Sequence, residues 1–157
     1  MNIMEICQAC PNRVIAVAFG CEDYVTSLHG QHDSAGESIF FARNMIVNAA
    51  RACGIAPIDT VHINVHDLND LEKNLMLAKK IGFEGMLVLN PKELPLVHKY
   101  FSPTQEELSW AEEMVSLCDE ATKEGKGVTL KNGKFVGPPM LSMAKNILNK
   151  KCQYNTK

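Results

Sequence analysis

Apolar residues follow two different periods along this chain, and the switches between them predict its elements. Ile3, Ile6, Cys7 and Cys10 recur at helical spacing, and Pro11 and Asn12 then stop the run, so a helix is expected from Asn2 to Cys10. "RVIAVAF" (13–19) is apolar almost throughout and rich in β-branched residues, the pattern of a parallel strand covered on both faces. A loop, "GCEDYVTSLHGQHDSAG", follows it. Residues 37–53 then read as a long, mostly buried helix closed by Gly54. The unit recurs. "DTVHINV" (59–65) is expected to be a second strand, and Asn69 with Glu72 forms a capping-box start for a helix running to Ile81 and Gly82. "MLVLN" (86–90) is a third strand, followed by Pro91 and a helical stretch through Phe101. Strand and helix alternate three times, which predicts βα units with a parallel sheet.

The remainder differs in kind. Thr104 and Glu107 form another capping box, and Leu108, Ala111, Val115 and Cys118 make an apolar stripe on a helix ending near Gly125. "GVTLKNGKFVG" signals a hairpin with Asn132-Gly133 as a type I′ turn. Pro138 and Pro139 open a last helix through about Leu148, and "NKKCQYNTK" reads as a frayed end.

Composition narrows the partners. The chain has 157 residues, 46% hydrophobic and 22% charged, enough to bury one good core, with a formal charge of −2 and scattered Lys and Arg. That leaves no electrostatic footprint for nucleic acid or an anionic membrane surface. No apolar stretch approaches the roughly 20 residues that span a bilayer, and the N-terminus lacks a secretory pattern, so a cytoplasmic protein is expected. The six cysteines show no framework spacing and read mostly as small hydrophobes in a reducing compartment. "CQAC" (7–10) could be a redox or zinc pair, yet it has no second pair and shares a stripe with Ile3 and Ile6, which favours the core.

Candidate chemistry gathers where strands end, because loops converge there in parallel α/β folds. The three expected ends are Gly20 to Asp23, His66 to Asp67, and Asn90 to Pro91. Glu22 and Asp23 suit a hard cation such as Mg²⁺, which takes one or two carboxylates and keeps waters or substrate oxygens elsewhere. Position alone equally allows a capping carboxylate beside an ion-paired one. His62 and His66 lie too far apart on an extended strand to chelate one ion easily. His29 and His32 flank Gly30 and could ligate zinc, although no cysteine stands at finger spacing. For these four histidines, solvation or hydrogen bonding is the better reading. His98 beside Tyr100 reads as surface or packing, and Trp110 and the eight Met residues suit a core. There is no nucleophile elbow, P-loop or GxGxxG fingerprint.

"VIAVAFGCEDYVTSLHG", "IFFARNMIVNAARACGIAPIDTV", "IGFEGMLVLNPKELPLVHKYFSPTQEE" and "GKGVTLKNGKFVGPPM" resemble, in order and across nearly the whole chain, the C-terminal half of the citrate lyase β-subunit family in the HpcH/HpaI aldolase superfamily. The resemblance implies an α/β fold, a partial TIM-type (β/α)8 barrel in which residues 1–102 supply the last three βα units. Residues 103–157 would form a helix–hairpin–helix lid or oligomerisation extension. It implies Mg²⁺ held by Asp23, with Glu22 and Gly20 shaping the site, and a CoA or acyl-carrier thioester framed by Asn90 and Pro91. The partner Glu and the substrate-gripping Arg of that family belong to earlier strands. No catalytic residue is therefore expected in this chain. Many relatives also carry an acid/base Asp in the lid where this sequence has Gly137, which can carry no proton.

The implied reaction is cleavage of a C–C bond in a citryl thioester to oxaloacetate and an acetyl thioester. The expectation is a truncated or split half working with an N-terminal half, a second copy or other citrate lyase subunits. The alternatives are a non-catalytic remnant or binding module, and a malyl-CoA-type lyase or thioesterase relative. Such a half would expose sheet edges and is expected not to be a well-behaved monomer.

Overall fold

Three short parallel strands carry the first part of the chain. The computed structural model describes residues 2–33 and 36–154, and its two compact units are Met1–Phe101 and Ser102–Lys157. In the first, β1 (Ala16–Ala18), β2 (Ala56–Asp59) and β3 (Gly85–Met86) form a sheet in the order β1-β2-β3. Both pairings are parallel, with Ala18 opposite Ile58 and Ile58 opposite Gly85. Helices α1 (Ile3–Gln8), α2 (Cys21–Ser27), α3 (Glu37–Ala52), α4 (Leu68–Ile81) and α5 (Leu94–Phe101) surround it, with a 3₁₀ turn at Pro91–Glu93 before α5.

All three strands differ from the expectation, the first being confined to Ala16–Ala18. The second lies at 56–59 rather than 59–65, so residues 60–65 leave the sheet as a loop at its carboxyl edge. Proline cannot donate to a ladder and normally argues against a central strand, yet here Pro57 pairs in register with Val17. The third is confined to Gly85–Met86, with one further bond from Leu87 N–H to the Asp59 carbonyl (3.0 Å). The first strand is also less covered than its apolar sequence implies. Ala16 and Ala18 are exposed, Val17 is half-buried and Ile15 is 79% exposed. A parallel strand is ordinarily buried on both faces, so β1 presents apolar surface that nothing in the described residues covers.

The core lies between sheet and helices. Leu71, Leu75 and Ala78 recur at helical spacing on α4 and pack with Val47, Phe83, Met86 and Phe101; a second cluster joins Phe19, Cys21 and Val25 to Ile39 and Ala42 of α3. Burying each leucine is worth about 1.5–3 kcal/mol. Asp67 caps α4 by accepting from Asn69 N–H (3.1 Å) and Asp70 N–H (3.0 Å), two residues before the expected Asn69 start. Glu72 is free of that role and accepts from the Tyr100 hydroxyl (2.5 Å) instead. Gly82 ends the helix at φ +114, a conformation side chains resist.

Helix α1 stops at Gln8, so Cys10 is exposed beyond it, as is Ile6; the apolar stripe expected there buries only Cys7. Further on, the segment after β1 is not all loop. Cys21–Ser27 is helical, which places Glu22 and Asp23 in the first turn of α2.

In the second unit, Thr104 and Glu107 form the expected capping box (Glu107 N–H to Thr104 Oγ1, 3.1 Å; Thr104 N–H to Glu107 Oε2, 2.8 Å) for α6 (Gln105–Lys123). Strands β4 (Thr129–Lys131) and β5 (Lys134–Val136) pair antiparallel, and Asn132 (φ +49) with Gly133 (φ +73) makes the I′ turn. Helix α7 (Pro138–Tyr154) runs past Leu148 because residues 149–154 contain no Pro or Gly to break it. Ala111, Met114, Cys118, Val136 and Ala144 form this unit's core.

One polar contact crosses the first unit's core: the Arg43 guanidinium of α3 grips the Asp59 carboxylate at the end of β2, with both side chains almost wholly buried. Arg43→Ala would strand a buried carboxylate and should cost about 3–5 kcal/mol, whereas Arg43→Met with Asp59→Leu should recover most of it. Urea unfolding followed by circular dichroism distinguishes the two; equal losses in the single and double variants would contradict the assignment.

Candidate functional site

The carboxyl edge of the sheet is held by a short relay of hydrogen bonds. Asp59 Oδ1 accepts from Arg43 Nε (3.2 Å) and Thr60 N–H (2.9 Å), and Thr60 Oγ1 in turn accepts from Cys21 N–H (3.1 Å). The ends of β1 and β2 are thus fastened to each other and to α3. Burial pushes the Asp59 carboxyl up, and the Arg43 guanidinium and Thr60 N–H act against that. Arg43 also stands over the Phe83 ring, 5.8 Å from its centre.

On this platform Gly20, Glu22 and Asp23 sit together. Gly20 is the extended residue that precedes α2. A side chain there would place its Cβ 3.4 Å from Asp23 Oδ2, so the Asp23 carboxylate turns back over the end of β1. Asp23 is exposed. Glu22 points elsewhere, with Oε1 2.7 Å from His32 Nε2, so one of the two neighbouring carboxylates is ion-paired and the other is open. An open carboxylate is the kind of group through which a hard cation that keeps several waters is held. The chain positions His32 through its neighbour: Asp33 accepts from Glu37 N–H (2.9 Å) and Ser38 N–H (2.8 Å) and so caps α3. A hydrogen bond from the Ser38 side chain, and then the N–H groups of Ser38 and Glu37, hold Asp33 well below the usual carboxylate range.

Asn90 and Pro91 lie beyond β3, where the 3₁₀ turn begins. Asn90 Oδ1 accepts from Lys92 N–H (3.0 Å) and Glu93 Oε2 accepts from Asn90 N–H (3.4 Å) in a capping box, with Leu89 N–H also donating to Glu93 Oε2 (3.1 Å), so the Asn90 side chain is employed locally. His62 is hydrogen-bonded, in keeping with its reading from sequence, but its partners lie on segments the sequence does not connect to it. His62, expected on a strand, is buried in the 60–65 loop with Nε2 3.0 Å from Asp70 Oδ2. Its Nδ1 faces Glu93 Oε1 at 4.0 Å, and both of those buried atoms lack a hydrogen-bond partner among the described residues. Cys21, His32, Asp33, Arg43 and His62 border one cavity of about 340 Å³. In the second unit, the Phe135 ring stands where a side chain on Gly137 would go, 2.7 Å from its Cβ. An aspartate at 137 could be fitted only by moving that ring.

Residues 1–91 match the family described as HpcH/HpaI aldolase/citrate lyase. The chain belongs to that family. It is 34% identical over 148 residues to citrate lyase subunit beta of Leuconostoc mesenteroides subsp. cremoris, covering 94% of this chain and 49% of the relative. Against the mitochondrial citramalyl-CoA lyase of Rattus norvegicus it is 35% identical, covering 85% and 39%. Its fold superposes, with TM-score 0.75 and 27% identity, on 94% of this chain and 55% of Mycobacterium tuberculosis CitE, solved with magnesium, acetoacetate and coenzyme A. The chain spans about half the length of the curated citrate lyase relative it matches.

Asp33 also sets a pH dependence. Because its folded pKa is depressed, its contribution is present above the unfolded value of about 3.9 and is lost as pH falls below it. The stabilisation that Asp33 contributes should therefore fade below about pH 4, and Asp33→Asn should flatten that part of the profile. An unchanged slope in the variant would contradict the capping role.

Proposed function

We propose that this chain supplies the carboxyl-side βα units of a CoA-ester lyase that cleaves a C–C bond in a citryl or closely related hydroxyacyl thioester. The observation that carries the reading is the open Asp23 carboxylate over Gly20 at the carboxyl edge of the sheet, in a chain of this family. The donor set fits Mg²⁺. Asp23 would hold it, Gly20 gives its carboxylate room, and Glu22 shapes the site from its pair with His32. When bound, the ion would polarise the oxygens of the α-keto acid portion. The relatives' names and CitE's bound magnesium, acetoacetate and coenzyme A support this class of substrate and cation.

Chemically, the hydroxyl proton passes to a base as the C–C bond breaks, leaving an α-keto acid and a thioester carbanion that is then protonated. This chain's residues bind and position; none is assigned as the base, and Gly137 cannot carry the proton. The backbone at Asn90 and Pro91, fixed by Glu93, would frame the thioester end. The uncovered β1, with Ile15 and both alanines exposed, is the surface on which further strands of a TIM-type barrel would close. Asp23 then works with groups from those strands, in a soluble assembly of this chain with them or with other lyase subunits. Gly137 favours a second reading, a binding or oligomerisation module of the same family, since the Phe135 ring has taken the space of a side chain.

Calorimetric Mg²⁺ titration of the chain, alone and mixed with the amino-terminal half of a relative, tests the first reading. Binding should be stronger in the mixture and fall at least about tenfold in Asp23→Ala, with a smaller loss in Gly20→Ala. Binding unaffected by Asp23→Ala would overturn the metal assignment.

A further inference from the structure

We propose that Cys21, Glu22 and His32 form a site for a borderline divalent transition metal of the Zn²⁺ class, separate from the carboxylate of Asp23. The proposal does not rest on the lyase reading. One sulfur, one carboxylate oxygen and one imidazole nitrogen lie within 4.8 Å of one another. Glu22 Oε1 is their focus, 2.7 Å from His32 Nε2 and 3.7 Å from Cys21 Sγ. Small movements bring all three onto one ion, since such bonds are about 2.0–2.3 Å long.

The donors are prepared from two directions. Cys21 is 1% exposed and fixed through its N–H on Thr60, which the buried Arg43–Asp59 pair holds in turn. His32 precedes Asp33, whose two bonds to the start of α3 anchor that end of the loop. A thiolate and an imidazole are poor ligands for Mg²⁺, which takes oxygen, and good ones for Zn²⁺ or Co²⁺. Thiolate and carboxylate together would offset the ion's charge. Three protein ligands leave a fourth position, and Cys21 and His32 border the 340 Å³ cavity, where a water or a substrate oxygen can complete a tetrahedron. Without an ion, the Cys21 thiol donates to Glu22 Oε1 and the same oxygen faces His32 Nε2, so the three donor atoms already share one focus; partly exposed pairs of the Glu22–His32 kind contribute little by themselves.

The test is Co²⁺ titration of the chelator-treated chain, read as thiolate-to-cobalt charge transfer in the near ultraviolet, with Zn²⁺ affinity measured by competition. The band should appear in the natural sequence, vanish in Cys21→Ser and persist in Asp23→Ala and in Cys10→Ser. Zn²⁺ affinity should fall at least about tenfold in His32→Gln, a half-exposed position whose substitution leaves the core intact. A missing band in the natural sequence, a band retained in Cys21→Ser, or an affinity unchanged in His32→Gln would each overturn the site. Loss of the band in Asp23→Ala would merge it with the hard-cation position and also overturn it.

Discussion

The buried pair between Arg43 and Asp59 is the constraint on which the carboxyl edge of this fold depends. A guanidinium and a carboxylate shut away from water are tolerated only when each satisfies the other. Here the carboxylate also accepts from Thr60 N–H, and Thr60 accepts from Cys21 N–H. One desolvated contact therefore fixes helix α3 against β2 and, through a single hydroxyl, fixes the start of α2 beside the end of β1. Glu22 and Asp23 inherit their positions from that relay. Their side chains diverge because one meets His32 and the other folds over a glycine.

The two proposed metal positions draw on this same edge. An open carboxylate suits a hard cation that retains much of its water, whereas sulfur, imidazole and carboxylate at one focus suit a borderline ion. The two sets are adjacent in sequence, yet the side chains of Asp23 and Glu22 leave α2 toward different surroundings. In the other unit the hairpin is organised by packing: Phe135 fills the space beside Gly137, and Val136 enters the core between α6 and α7.

Much of this was legible in the sequence where the signal is local. The alternation of strand and helix, the Thr104 capping box, the Asn132-Gly133 turn and the Gly82 stop all follow from short-range chemistry, and the structure has them. Strand β2 was not legible at 56–59, where Pro57, whose missing N–H argues against a central strand, is accommodated by the register. Helix α2 was hidden for a different reason: seven residues after a glycine carry too little periodicity to stand out from a loop. The family resemblance singled out Asp23 and Gly20. It could not show that His32 returns to Glu22, that Cys21 lies at the same focus, or that His62 is buried between Asp70 and Glu93, since those are contacts between segments distant along the chain.

The proposed function has this edge contributing to a lyase centre completed by further βα strands. The most direct measurement is citryl-CoA cleavage by this chain mixed with the separately produced amino-terminal half of a citrate lyase β-subunit relative, with Mg²⁺ present. Oxaloacetate and acetyl-CoA are expected from the mixture, with none from either piece alone and loss of turnover when Asp23 is replaced by alanine. A stable, Mg²⁺-loaded mixture that leaves citryl-CoA intact, or turnover indifferent to Asp23→Ala, would contradict the proposed function.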